Sequence, residues 1–162
     1  YTLAAATQVI SVNALCGIVG TVFSGWLSDA FFHGRRNVLA FGFGVLNTVA
    51  LCLFLYSGDG LVVNILSMIL FGVAIGVLIC FLGGLMAIDI VPREATGAAL
   101  GIVGMASYVG AGLQDIVSGW LINSGKTELE GVTSYNFDSA IIFWIAASAV
   151  SFILALFVAK KK

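Results

Sequence analysis

Long apolar runs broken by short polar stretches dominate this chain. A bilayer core of roughly 30 Å asks for about 20 apolar residues per helical span. Five runs of that order fall near residues 3–28, 38–56, 61–88, 96–122 and 140–159. The breaks between them are "SGWLSDAFFHGRRN" at its polar end, "SGDG" at 57–60, "DIVPRE" at 89–94 and "NSGKTELEGVTSYNFDS" at 123–139. Pro92 disfavours helix at Val91 and marks a turn between two spans. The runs show no two-residue alternation and exceed the 9–11 residues of a spanning strand, which argues against a β-barrel. The pattern predicts an all-α membrane protein with five transmembrane helices.

Composition strengthens that reading. The chain is 60% hydrophobic and 9% charged, with mean hydropathy +1.12, against about 25% charged residues in a soluble domain. A net charge of −1 provides no basic field for nucleic acid. No basic n-region followed by a small-residue cleavage pattern marks a signal peptide. The chain begins at Tyr1 inside an apolar run, and the expectation is a fragment of something longer.

Lys and Arg accumulate on cytoplasmic loops. Arg35 and Arg36, Arg93, and Lys160 to Lys162 follow the first, third and fifth runs, so all three clusters fall on one side. The opposite loops hold Asp59, and Lys126 outweighed by Glu128, Glu130 and Asp138. The expected orientation enters from outside and ends in the cytoplasm.

Candidate chemistry is sparse. Cys16, Cys52 and Cys80 lie far apart within apolar runs and form no metal-binding spacing, and His33 stands alone in a polar loop. No nucleophile, base and metal-ligand cluster suggests an enzyme, and no cofactor is implied. The fourth run instead carries Gly97, Gly101, Gly104, Tyr108, Gly112, Asp115 and Gly119 at steps near three and four, which puts them on one stripe of a helix. Asn13, Gly17, Gly20 and Ser24 form a similar line in the first run. Small-residue stripes in lipid mark packing seams, and the same residues serve a moving seam or a solute path.

"GWLSDAFFHGRR" resembles the cytoplasmic loop signature of the major facilitator superfamily. Its glycine, aspartate and basic residues match Gly25, Asp29, Gly34, Arg35 and Arg36. Asp29 and Gly34 stand five apart with Phe32 between them, a longer form similar to that of the organophosphate:inorganic phosphate antiporters. "AIDIVPREATGAALGIVGMASYVGAG", residues 87–112, resembles the junction of the tenth and eleventh helices of that family, through Asp89, Pro92, Arg93, Ala95, Gly97, Ala99, Gly101, Gly104, Tyr108 and Gly110.

The resemblance covers essentially the whole chain, as helices eight to twelve of a twelve-helix fold. It implies a transporter that exchanges a phosphorylated metabolite, such as glycerol 3-phosphate or a sugar phosphate, for inorganic phosphate by alternating access. In such a protein Gly25 permits close helix approach, Asp29 faces a neighbouring helix end, and the arginines tie the loop to lipid phosphates or acidic partners. Asp89 and Arg93 join that gating group. The phosphate-gripping arginines of the family belong to its first and seventh helices, so the implied partners of this chain are an N-terminal half, a seventh helix and the bilayer.

Where some members carry a charged pair in the eleventh helix, this chain has Ala111 and Gln114, with Asp115 one residue on. Asn13, Tyr108, Gln114 and Asp115 are the candidates for the solute pathway. Asp115 is expected to pair with a basic group on another helix. The alternatives are a sensor of external sugar phosphate related to the same family, and a membrane module that moves no solute.

Overall fold

The computed structural model describes residues 3–32, 36–58, 60–129 and 132–159. His33, Gly34, Arg35, Asp59, Glu130 and the terminal lysines lie outside the described residues. The chain forms α1 (Leu3–Phe32), α2 (Arg36–Tyr56), α3 (Leu61–Cys80), a π-helical turn (Phe81–Leu85), α4 (Met86–Asp89), a 3-10 turn (Arg93–Ala95), α5 (Thr96–Ser124) and α6 (Asp138–Ala159). Among the described residues four helices are long and apolar enough to cross a membrane, and α6 adds 22 residues of helix backbone. Helices suit an apolar solvent because each satisfies its own backbone N–H and C=O groups.

The segment 123–139 differs from a plain loop. Lys126–Leu129 (β1) and Val132–Tyr135 (β2) pair antiparallel, with Lys126 opposite Tyr135 and Leu129 opposite Val132. Thr, Val and Tyr favour extended backbone, and away from the apolar spans the pairing satisfies polar groups that a helix would otherwise hold. Lys126 pairs with Glu128 on the hairpin. Asn136 N–H donates to Gly125 O at 3.0 Å, and Asp138 N–H donates to Asn136 Oδ1 at 2.8 Å, which closes the hairpin and starts α6.

The other tight link joins α2 to α3. Gly58 takes φ +63°, a region that Cβ disfavours, and Asn64 Nδ2 donates to Gly58 O at 3.0 Å. Ser57 Oγ donates to Asn64 Oδ1, so one buried Asn holds the turn from the first helical turn of α3.

Packing is uneven. α3 lies along α1 most extensively and then along α2, which also packs on α6. Leu39, Val77 and Phe81 form the buried core, with Leu27, Phe43, Leu85 and Met86 against it. This core ties the end of α1, the start of α2 and the end of α3 together. Phe81 is wholly buried and opens the π turn, where one extra residue per turn is absorbed. α5 meets α4 and the π turn at its start and α6 further on, and its middle stands away from the rest.

Candidate functional site

The chain places its candidate residues in four settings. At the rim, Gly25 and Asp29 occupy the last two turns of α1, while Asp89 ends α4 and Arg93 opens the 3-10 turn. Helices joined by short links alternate in direction, so the α1–α2 link and the α4–α5 link share one end of the bundle. Asp29, Asp89 and Arg93 are all exposed there. Arg36 begins α2, but its side chain, like all of Gly34 and Arg35, lies outside the described residues.

Within the described residues the close backbone approach lies away from Gly25. A Cβ at Gly25 would meet nothing within 4 Å among the described residues. Two turns earlier the backbones touch. A Cβ at Gly20 would sit 2.5 Å from Val73 O, one at Gly72 would strike Asn13 O and lie 2.8 Å from Asn13 Oδ1, and one at Gly76 would strike Gly17 O and lie 2.9 Å from Thr21 N. Gly17, Gly20, Gly72 and Gly76 thus form a glycine seam between α1 and α3. Thr21 Oγ1 stands 2.9 Å from Gly17 O on its own helix and 3.2 Å from Gly76 O across the seam, a shared donor that locks the two backbones. Ser24, further along the line, is fully buried and donates to Thr21 O at 2.7 Å. Asn13 and Thr21 line a groove of about 400 Å³ beside this seam, with Ile18, Val22, Ile75 and Ile79 supplying apolar walls.

The fourth-run stripe behaves differently. Its glycines, Gly97, Gly101, Gly104, Gly112 and Gly119, would carry a Cβ with nothing within 4 Å among the described residues. Tyr108 is 84% exposed, and Asp115 is exposed with neither ion pair nor hydrogen bond among the described residues. Among the described residues nothing lies within 4 Å of where side chains would stand on its glycines, so the stripe is an open face.

Gln114 goes to that opposite side. One residue is about 100° of helix, so Gln114 and Asp115 cannot share a face. Gln114 lines a half-open cavity of about 470 Å³ between α2, α3, α5 and α6, with Asn47, Phe71, Leu82, Trp144 and Ser148 among its walls. One turn on, buried Ser118 accepts a hydrogen bond from Trp144 Nε1 at 2.8 Å and ties α5 to α6. The four pathway candidates are therefore dispersed: Asn13 on the α1–α3 groove, Gln114 in the inner cavity, Tyr108 and Asp115 on the open face of α5.

Several contributors were not singled out from sequence. Gly72 and Gly76 were readable, since their spacing of four is the small-xxx-small pattern of a lipid-embedded seam. Asn47, Thr48 and Ser148 were harder to see. They are isolated polar residues within apolar runs, and only the meeting of α2 with α6 brings them together. No metal-holding group of His, Cys, Asp and Glu forms among the described residues.

No protein-family model and no solved structure matches the chain. The glycerol-3-phosphate transporter of Bacillus subtilis is 39% identical over 99 residues, 58% of this chain and 21% of the relative. The phosphoglycerate transporter protein of Salmonella typhimurium is 36% identical over 110 residues, 65% and 23% of the two. The membrane sensor protein UhpC of Salmonella typhimurium is 33% identical over 123 residues, 73% and 26%. The chain thus spans about a quarter or less of the length of these relatives.

Proposed function

Because this chain belongs to the organophosphate:inorganic phosphate antiporter family, we propose that it works as the region of helices eight to twelve in a longer transporter. That protein exchanges a phosphorylated small metabolite for inorganic phosphate by alternating access. The observation that carries this reading is the chemistry shared by two relatives' names: glycerol 3-phosphate and phosphoglycerate are both small organic phosphate esters.

The geometry is compatible with such work. The α1–α3 glycine seam and the Leu39–Val77–Phe81 core make a stiff unit, and alternating access requires stiff units that rock against one another. The open stripe of α5, with Tyr108 and Asp115, is the surface on which the rest of the transporter would close. Half-buried Gly25 and exposed Asp29 at the rim are where its other half would dock and where the conformational cycle would be controlled. The phosphate-gripping basic groups would come from the first and seventh helices, outside this chain. In this reading the protein resides in the bacterial inner membrane with the rim and the C-terminal lysines cytoplasmic.

A second reading is favoured by the relative named as a membrane sensor, which is 33% identical over 73% of this chain. In that case the same fold binds external sugar phosphate and signals without bulk transport.

One experiment separates the readings. The full-length protein carrying this chain, reconstituted in vesicles loaded with phosphate, should take up labelled glycerol 3-phosphate, phosphoglycerate or glucose 6-phosphate, and uptake should vanish when internal phosphate is omitted. Binding without uptake supports the sensor. Neither binding nor uptake would leave a module that moves no solute.

A further inference from the structure

The β-hairpin carries an aromatic surface on one side only. Directly opposite residues of an antiparallel pair share a face, so Lys126 and Tyr135, with Glu128 and Thr133, stand on one side of the hairpin. Thr127 and Ser134 stand on the other. Phe137 extends the first side past the strand, its ring centroid 6.5 Å from that of Tyr135. Tyr135 is 48% exposed and Phe137 46%, and the Tyr135 hydroxyl makes no hydrogen bond among the described residues. Lys126 pairs with Glu128 on the same side, so the charges there cancel.

Both rings are held in position by the residue between them. Asn136 N–H donates to Gly125 O at 3.0 Å, and Asn136 Oδ1 accepts from Asp138 N–H at 2.8 Å. A Cβ at Gly125 would strike Asn136 O, so only glycine lets the two backbones close here. The rings therefore lose little conformational freedom on meeting a partner. Their level follows from the helices they join. The 22 residues of α6 rise about 33 Å, close to the roughly 30 Å of a hydrocarbon core, so Phe137, next to its first residue, stands near the boundary. The 29 residues of α5 rise about 43 Å and reach into the headgroup layers. Trp120, one turn before the end of α5, and Tyr56, the last residue of α2, are exposed at the same end of the bundle.

We propose that the Lys126–Tyr135 side of the hairpin is a lipid-interface anchor that lies against the phospholipid headgroups. Tyr135 and Phe137 insert at the level of the ester carbonyls, where the Tyr135 hydroxyl finds acceptors, and Thr127 and Ser134 face water. Amphipathic rings favour this layer because one part is apolar and the other wet. Lys126 and Glu128 reach into the headgroups on their aliphatic stems, and as a neutral pair they suit a zwitterionic lipid. A phosphorylated solute is a poorer occupant, since Lys126 already has its counter-ion. The surface is also continuous with the exposed ends of α5 and α6, which the bilayer surrounds. Anchored in this way, the hairpin fixes the depth of both helices in the membrane.

The test places a nitroxide on each side of the hairpin in the full-length protein, freed of its own cysteines and reconstituted in phosphatidylcholine and phosphatidylethanolamine vesicles without substrate. Thr133→Cys puts the label on the side of Tyr135 and Ser134→Cys on the other, and both leave the rings intact. The ratio of collisions with oxygen, which concentrates in lipid, to collisions with a water-soluble nickel chelate should be several-fold higher at position 133 than at 134. Adding Tyr135→Ser with Phe137→Ser should bring the ratio at 133 down to that at 134, whereas Tyr135→Trp with Phe137→Trp should keep it high. If the double serine variant is not monodisperse, Tyr135→Ser alone takes its place. Equal ratios at the two positions, or a ratio at 133 that survives loss of the rings, would overturn the anchor. Low collision rates with both reagents at 133 would overturn it too, because another protein segment or a second copy would then cover this side. Since no transport is read, a failed anchor leaves the exchange reading intact, and absent exchange leaves the anchor intact.

Discussion

Asp115 shows how much a single residue can demand of its surroundings. Taking the outer end of its run near residue 122, a rise of about 1.5 Å per residue puts the carboxylate roughly 10 Å inside the helix. An unpaired charge at such depth costs several kcal/mol, and aspartate is too short to reach far toward the headgroups. Among the described residues nothing pairs with it. A cationic or hydrogen-bonding partner is therefore expected from outside this chain. In the full-length protein, Asp115→Asn and Asp115→Ala should each lower exchange by about an order of magnitude or more, since either breaks a pair buried from water. Reversing the charge of the true partner should partly restore Asp115→Lys. Vesicle uptake across a pH series checks this, and normal exchange by Asp115→Ala throughout would mean the carboxylate is merely tolerated.

At the scale of elements, the two small-residue lines have separate fates. The α1 line meets α3 backbone to backbone, whereas the α5 line faces away from the bundle. Substitution should distinguish them sharply. Gly76→Leu must push Gly17 and Thr21 aside and break the shared Thr21 hydrogen bond, at a cost of about 1–3 kcal/mol or more. It should lower the melting temperature of this chain in detergent as well as that of the full-length protein. Gly104→Leu should leave the chain alone unchanged, because a Cβ there meets nothing within 4 Å among the described residues, yet destabilise the full-length protein where another helix closes on the stripe. A melt that drops equally for Gly104→Leu in both forms would refute the open face. The π turn at Phe81–Leu85 has its own logic: it lets α3 keep Phe81 in the core and still present Asp89 at the rim.

At the scale of the molecule, charge and connectivity combine. Alternating helix directions put the α2–α3 link and the β-hairpin at one end, and the motif-bearing links at the other. With Arg93 at the second end and the acidic residues Glu128 and Asp138 at the first, the positive-inside bias predicts the rim in the cytoplasm. Single cysteines introduced as Asp59→Cys or Ser134→Cys, after Cys16, Cys52 and Cys80 are removed, should react with an impermeant thiol reagent applied to intact cells. Glu94→Cys should react only once the membrane is opened. Equal labelling rates for all three would reverse or abolish the orientation.

Much of this molecule is a consequence of local composition, and local composition is what a sequence displays. Uninterrupted apolar runs dictate helices in lipid because no other backbone arrangement satisfies its polar groups run by run, and the rim motif is contiguous in the chain, so both were legible. The β-hairpin was not, because its eight paired residues sit in a polar stretch with no strong alternation. What one helix shows another depends on rotation and neighbours. The sequence alone placed Gln114 beside Asp115 as pathway candidates and treated both small-residue lines alike. Only the tertiary arrangement separated them, setting Gln114 on the wall of the cavity shared with α2, α3 and α6 and leaving Asp115 on the open face, because neighbouring residues of a helix point about 100° apart. Periodicity assigns residues to a face, and packing alone decides what that face meets.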